Sequence, residues 1–221
     1  MKSIDLKTWE VRAVLAGCKT AALRAMKPQP ESAYRVFDRH EDTRTFDLLC
    51  GKTLGGILCD FTQNFKAPYW PGDILCVRET WKQAACDFAG GGYGLTDLYL
   101  YKTDESIDTT RMMVEEKWRP SIHMPREAAR IFLRVTDVRA QRLQDITEAQ
   151  AKANGCGTFE EKIAGAPLEA FDLAAKAALK EIWDAALKPK ERGIYGWAAN
   201  PWVWAIGFER TSEKEAKHES D

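Results

Sequence analysis

A guanidinium, a carboxylate, an indole and an ammonium stand within five positions at Arg78-Glu79-Thr80-Trp81-Lys82. Groups of these types can grip an anion, orient one another or stack on a planar ligand. They close the stretch Pro68–Lys82, PYWPGDILCVRETWK. Pro71-Gly72-Asp73 carries turn chemistry: proline presets one dihedral, glycine permits the left-handed one, and aspartate closes the turn. Ile74–Val77 is an apolar run of strand formers. In a straight strand Leu75, Val77, Glu79 and Trp81 share one face. The core-facing side therefore ends in a carboxylate, which needs a partner or an opening of the core into a cleft. Two readings stand: a strand ending at a rim with a solvated Glu79–Arg78 pair, or a perturbed acid that marks a site.

Other generic chemistry is excluded by spacing. Gly51-Lys52-Thr53 resembles the end of a phosphate-binding loop, but the glycine needed five residues earlier is Phe46. The segment GKTLGG reads instead as a hairpin connection. Glycines 90–94 do not complete G-x-G-x-x-G, and no G-x-S-x-G elbow occurs. The six cysteines (Cys18, Cys50, Cys59, Cys76, Cys86, Cys156) lack zinc spacing, and three histidines (His40, His123, His218) cannot build a His-rich metal site. No metal and no cofactor is expected.

These groups must be positioned by short elements. Leu6–Ala16 has helical spacing, with Thr8 as cap and Gly17 as stop. Lys19–Met26 fits helix or strand, and Lys27-Pro-Gln-Pro30 breaks it. Phe46–Cys50 and Ile57–Phe61 read as a hairpin, Ala89–Gly94 as a loop, and Leu98–Tyr101 as a short strand. Trp118–Arg126 is irregular, pinned by two prolines, and Ile131–Val138 alternates as a strand. Thr147-Glu-Ala-Gln150 opens a capping-box helix that stops at Gly155. Leu168–Leu187 has the strongest helical period. Trp202, Trp204, Ile206 and Phe208 line one face of a closing strand. Short separated strands with a few helices between them predict an α+β barrel.

At 221 residues and 45% hydrophobic content, the chain can bury one sizeable core. Lysine plus arginine number 32 against 33 acids, which excludes a globally basic binder but not a local basic groove. With no signal peptide or membrane-length apolar run, a cytoplasmic protein with reduced, mostly core cysteines and no membrane partner is expected. The tail 210–221 is polar and charged, and is expected to be disordered.

Leu15-Ala-Gly-Cys-Lys-Thr20, continuing to Arg24, resembles the ASCH domain family, whose mark is an apolar helix end, then G-x-K-T and an arginine. KPQP (27–30), PGDILCVRETW (71–81), SIHMPR (121–126) and NPWVWAIGFE (200–209) are similar to the longer phage and prophage branch of uncharacterised ASCH-like proteins. The resemblance spans about Val11 to Glu209. It implies a PUA-like mixed β-barrel with Lys19–Arg24 as a strand; the helical period against strand periods on either side makes about 155–187 a helical insertion in a single domain over 1–209, with flanking helices. It also implies RNA or nucleoside binding in a barrel cleft lined by Lys19, Thr20, Arg24, Arg78, Glu79, Trp81, His123 and Arg126. Lys19 and Arg24, otherwise solvated charges, would grip a phosphate or base edge. Glu79 would accept an exocyclic amine or orient Arg78 or Lys19.

Some small family members deacylate acetylated cytidine, and ribonuclease activity is reported for others. The amidohydrolase pattern uses the G-x-K-T lysine, here Lys19, a threonine three residues on, here Ala22, and a later glutamate, here Asn154. Lys19 and Glu79 are the residues left as catalytic candidates, and deacylation is expected to be absent or very weak. His123 is either a structural hydrogen-bonder or a catalyst; Arg126 lines the cleft or pairs with Glu127 or Asp137. Trp70, Trp81 and Trp118, beside charges and turns, are the indoles expected to stack on a base. A nucleobase-modifying hydrolase or ribonuclease, and a phage accessory scaffold that binds another protein, are the alternative functions.

Overall fold

The computed structural model describes residues 1–54, 57–88, 92–104, 113–114, 117–156, 175–213 and 215. The chain is a mixed α+β protein that divides into two compact units. The first comprises Met1–Gly17, Ile74–Arg134 and Arg210–Asp221; the second comprises Cys18–Asp73 and Val135–Glu209. Among the described residues no sheet closes on itself as a barrel. No described helix is long and apolar enough to cross a membrane.

In the first unit, β1 (Lys2–Asp5) runs parallel to β6 (Ile74–Arg78), pairing Lys2 with Leu75 and Asp5 with Arg78. On its other side β6 meets Phe132–Arg134 antiparallel, the first residues of β10 (Phe132–Arg142). Leu75, Val77, Glu79 and Trp81 are all buried, as a shared core face requires. Ile74 and Cys76 on the opposite face are buried as well, clustered with Phe132 of the neighbouring strand and with Ala129, so both faces of the strand are covered. Helix α1 (Thr8–Leu15) turns Val11, Ala13 and Val14 inward. Its cap is Lys7 rather than Thr8: the Glu10 carboxylate accepts the Lys7 N–H at 2.9 Å and closes the first turn from inside.

After Glu79 and Thr80 the chain enters β7 (Trp81–Phe88), flanked by β8 (Gly92–Tyr101) and β9 (Met113–Val114). The expected glycine loop is thus corrected over Gly92–Gly94, which pair with Phe88, Asp87 and Cys86; residues 89–91 lie outside the described ones. The backbone ladder overrides the low strand propensity of glycine there.

In the second unit, β2 (Ala21–Ala25) pairs antiparallel with β11 (Trp202–Thr211), which settles the helix-or-strand alternative for Lys19–Met26. A second sheet orders β3 (Ala33–His40), β4 (Thr45–Leu54) and β5 (Ile57–Lys66). Gly51-Lys52-Thr53 lie within β4, paired with Asp60, Cys59 and Leu58, so the hairpin connection shrinks to positions 55–56, which are outside the described residues. Helix α2 (Glu148–Ala153) has the expected reciprocal cap: Thr147 Oγ1 accepts the Gln150 N–H, and Gln150 Oε1 accepts the Thr147 N–H. It stops where Gly155 takes φ +83°. Helix α3 (Ala175–Ala185) keeps the later part of the expected Leu168–Leu187 helix; residues 157–174 lie outside the described ones. Ala175 and Leu179 pack with Leu23, Leu143, Ile146, Ala151, Cys156 and Val203. A further helical turn is α4 (Arg192–Tyr195).

Of the tail expected to be disordered, Arg210 and Thr211 extend β11, and Ser212 and Thr211 donate to the Glu215 carboxylate; 214 and 216–221 are outside the described residues. Cys50, Cys76 and Cys156 are buried thiols outside any disulfide, whereas Cys59 is exposed.

The turn before β6 has the expected chemistry. Asp73 N–H donates to Trp70 C=O at 2.9 Å, Pro71 occupies the second position, and Gly72 the third with φ +88°. The Asp73 carboxylate accepts from Trp70 N–H and Arg44 Nη1, both at 2.8 Å. A Cβ on Gly72 would meet nothing within 4 Å, so Gly72→Ala isolates the backbone cost. Denaturant unfolding should show a loss of about 1 kcal/mol; an unchanged midpoint would mean the turn relaxes.

Candidate functional site

Glu79 and its neighbours belong to the first unit. Successive strand residues point to opposite faces, so Arg78 and Glu79 cannot pair with each other while β6 stays extended. Arg78 reaches Asp5 with two bonds, Nε–Oδ1 at 2.9 Å and Nη2–Oδ2 at 2.8 Å, and donates to Ile122 C=O at 3.3 Å. Glu79, 1% exposed, turns inward and takes Arg130 instead: Nε donates to Oε1 at 2.9 Å and Nη2 to Oε2 at 3.1 Å. Thr103 Oγ1 adds a bond to Oε2 at 2.7 Å. The solvated Glu79–Arg78 pair is therefore corrected to a buried Glu79–Arg130 pair.

Arg130 is the residue that sequence reasoning missed. Its guanidinium also donates to Asp104 at 2.6 and 3.0 Å and to Thr103 at 2.8 Å, and it lies 3.8 Å from the centre of the Tyr101 ring. Burial pulls the Arg130 pKa down, but the bonds to Glu79 and Asp104 outweigh it and the net shift is upward. The Tyr101 hydroxyl donates to Ala128 C=O at 2.5 Å, and burial pushes its pKa up to about 12. Glu79 is thus spent on Arg130 and Thr103, holding a cation in place rather than presenting a free carboxylate.

The remaining first-unit candidates divide by exposure. Trp81 is buried among Met124, Ala128, Tyr99 and Tyr101, with the Arg119 guanidinium 5.1 Å from its ring centre. It is closed to a base. His123 is exposed within the short turn Ser121–His123, which follows Pro120. Arg126, exposed, donates to Met1 C=O at 3.2 Å. Trp118 is 38% exposed, with Lys82 Nζ 4.5 Å from its ring centre. Lys117 beside it is exposed, and Arg119 is held by the antiparallel bridge to Trp81.

Lys19, Thr20 and Arg24 belong to the second unit. Lys19 forms an antiparallel bridge with Asn154, and Thr20 N–H donates to Ala153 C=O at 2.8 Å. The Lys19 side chain is buried, and its Nζ donates to Asn154 C=O at 2.8 Å. The Asn154 amide in turn donates to Gln150 C=O at 2.8 Å. Sequence positions 135 apart therefore meet, because α2 ends against the strand that leads into β2. Ala22 is fully buried on β2 and offers no nucleophile. Glu148 bonds the Lys176 N–H at 3.1 Å, away from Lys19. Arg24 is half-buried and donates to its neighbour's carbonyl, Leu23, at 3.0 Å. Trp70, the third indole expected to stack, is buried and donates Nε1–H to Glu41 at 2.8 Å.

Two measurements check the first-unit cluster. Arg130→Ala leaves Glu79 buried without its cation and should cost about 3 kcal/mol in chemical denaturation, the low end of the range for a broken buried pair because Arg130 is partly exposed. A loss below about 1 kcal/mol would show that Glu79 reaches solvent. Tyr101 holds its proton more tightly when folded, so its contribution is complete below pH 10 and is lost as pH rises toward about 12. Tyr101→Phe should flatten the fall in stability over that window; an identical alkaline slope would refute the assignment.

No protein-family model, no curated protein and no solved structure matches the chain.

Proposed function

We propose that this protein is a nucleic-acid-binding module of the PUA-like, ASCH type, which takes a base of single-stranded RNA on Trp118 and its phosphates on the surrounding cations. One observation carries the reading: Trp118 keeps more than a third of its surface open between Lys117 and Arg119, with the Lys82 ammonium over its ring. Every base has a π-face, and stacking on an indole contributes about 1–3 kcal/mol per base. Flanking ammonium groups add the salt-dependent phosphate term. The other two indoles are consumed by the core, which concentrates the stacking role on Trp118.

The reading makes Trp118→Ala weaken single-stranded RNA binding by at least about fivefold. Lys82→Ala should reduce the slope of log affinity against log salt by about one charge. Fluorescence titration of a short labelled RNA at several salt concentrations measures both. Binding that survives both substitutions unchanged would exclude this surface, and binding of a protein but not RNA would favour the scaffold alternative.

Lys19 beside Asn154 supports a second reading, in which the second unit holds a nucleoside pocket of the amidohydrolase-like kind. Hydrolysis of an amide needs an attacking oxygen and a group that protonates the leaving amine. Ala22 cannot attack, and the Asn154 amide does not titrate as an acid. Positioned groups of this kind each contribute about 10²–10⁴-fold, so the natural protein should release no measurable acetate from acetylated cytidine. Robust turnover that Lys19→Ala abolishes would overturn this; turnover gained only by Ala22→Thr/Asn154→Glu would support a pocket that has lost its reacting groups.

A further inference from the structure

The two outer strands of the second unit's three-stranded sheet differ. Strand β3 shifts register against β4 between Ala33 and Arg35 and again between Val36 and Asp38. These bulges leave Tyr34 and Phe37 out of the ladder and blunt that edge. Strand β5 pairs with β4 in unbroken register over ten residues, from Ile57–Leu54 to Lys66–Thr45. Its other side has no strand neighbour among the described residues. Cys59, Asp60, Phe61, Thr62, Asn64 and Lys66 are exposed along it. A regular edge with no bulge and no proline is a template for another strand.

The side chains of β5 specify which strand. Asp60 and Lys66 lie on one face and are symmetric about Gln63; Phe61 and Phe65 lie on the other face and are symmetric about the same residue. An antiparallel copy centred on Gln63 would set Asp60 opposite the second copy's Lys66, Phe61 opposite its Phe65, and Thr62 opposite its Asn64. Each pairing occurs twice by the two-fold symmetry. Moving the centre to position 62 sets Asp60 against Asn64 and Phe61 against Gln63, and losing both matches. The exposed Asp60 carboxylate has lone pairs to offer an ammonium.

We propose that β5 is a self-recognition edge, through which two copies of this chain join antiparallel over Asp60–Lys66 with Gln63 at the two-fold axis. The occupant is a second copy because charge and aromatic complementarity are both satisfied by the strand's own sequence. Opposite charges and aromatic pairs directly across a ladder each stabilise it, and like charges there oppose it.

Sedimentation of the full chain over a range of concentrations should show a monomer–dimer equilibrium. Asp60→Lys or Lys66→Asp alone sets like charges opposite at both ends and should weaken association about tenfold or more. The double swap Asp60→Lys/Lys66→Asp should restore it to near the natural value. Register is read separately in a Cys59→Ser background. There Gln63→Cys places a thiol opposite its own copy and should crosslink on mild oxidation, whereas Thr62→Cys faces Asn64 and should not. Monomer at every concentration, double and single swaps that weaken alike, or equal crosslinking at 62 and 63 would each overturn the proposal.

Discussion

The first unit depends on a carboxylate that cannot reach water. Glu79 stands at the end of an apolar strand, on the same face as Leu75 and Val77. An unpaired carboxylate in that position would cost several kcal/mol of desolvation. Arg130 removes the problem with two bonds from its fork, and Thr103 fills a further acceptor site. The same guanidinium then draws Asp104 in and lies on Tyr101, whose hydroxyl fixes the Ala128 carbonyl. One buried charge thus ties the segment leading into β10, the end of β8 and the turn containing Ala128 together. Arginine suits the task because a planar fork serves two carboxylates and an aromatic face at once, which an ammonium could not do.

The second unit has a counterpart of opposite sign. Lys19 is buried beside the C-terminus of α2, where the carbonyl of Asn154 receives its ammonium. A helix C-terminus leaves carbonyls without intrahelical partners and favours a cation. Lys19 therefore has a structural reason to be where it is, whatever else it binds. The backbone bond from Thr20 to Ala153 fixes the same junction, so side chain and main chain agree on the register.

Elements with a strong local signal were legible in the sequence. The Pro71-Gly72 turn, the Thr147–Gln150 cap and the alternation of Trp202 to Phe208 each follow from a few adjacent residues. Long-range decisions were not. That Glu79 would choose Arg130 depends on β6 and β10 lying side by side, which no periodicity reveals; the available sign was only that a core-facing carboxylate demands a cation. β3 escaped notice because Tyr34, Arg35, Val36, Phe37 and Asp38 are all exposed, so the strand lacks the alternation that burial of one face imposes. β7 was hidden by Lys82 and Gln83, and the glycine-containing start of its partner β8 reads as a loop until the ladder is seen, although Leu98–Tyr101 at its end reads as a strand. For the candidate site, the sequence brought out the right residue types but could not separate indoles that the core consumes, Trp70 and Trp81, from the one it leaves open.

That separation also constrains how recognition at the proposed interface would work. Arg78 is held by Asp5, Arg126 donates to the Met1 carbonyl, and Arg130 is saturated by two carboxylates and a hydroxyl. Bidentate reading of a base edge needs a free guanidinium fork; the forks of Arg78 and Arg130 already serve the fold, and Arg126 gives it one bond. What faces solvent beside Trp118 is an indole with ammonium groups, a combination that tracks any single strand by stacking and charge. A surface so composed would bind with strong salt dependence and little preference among bases.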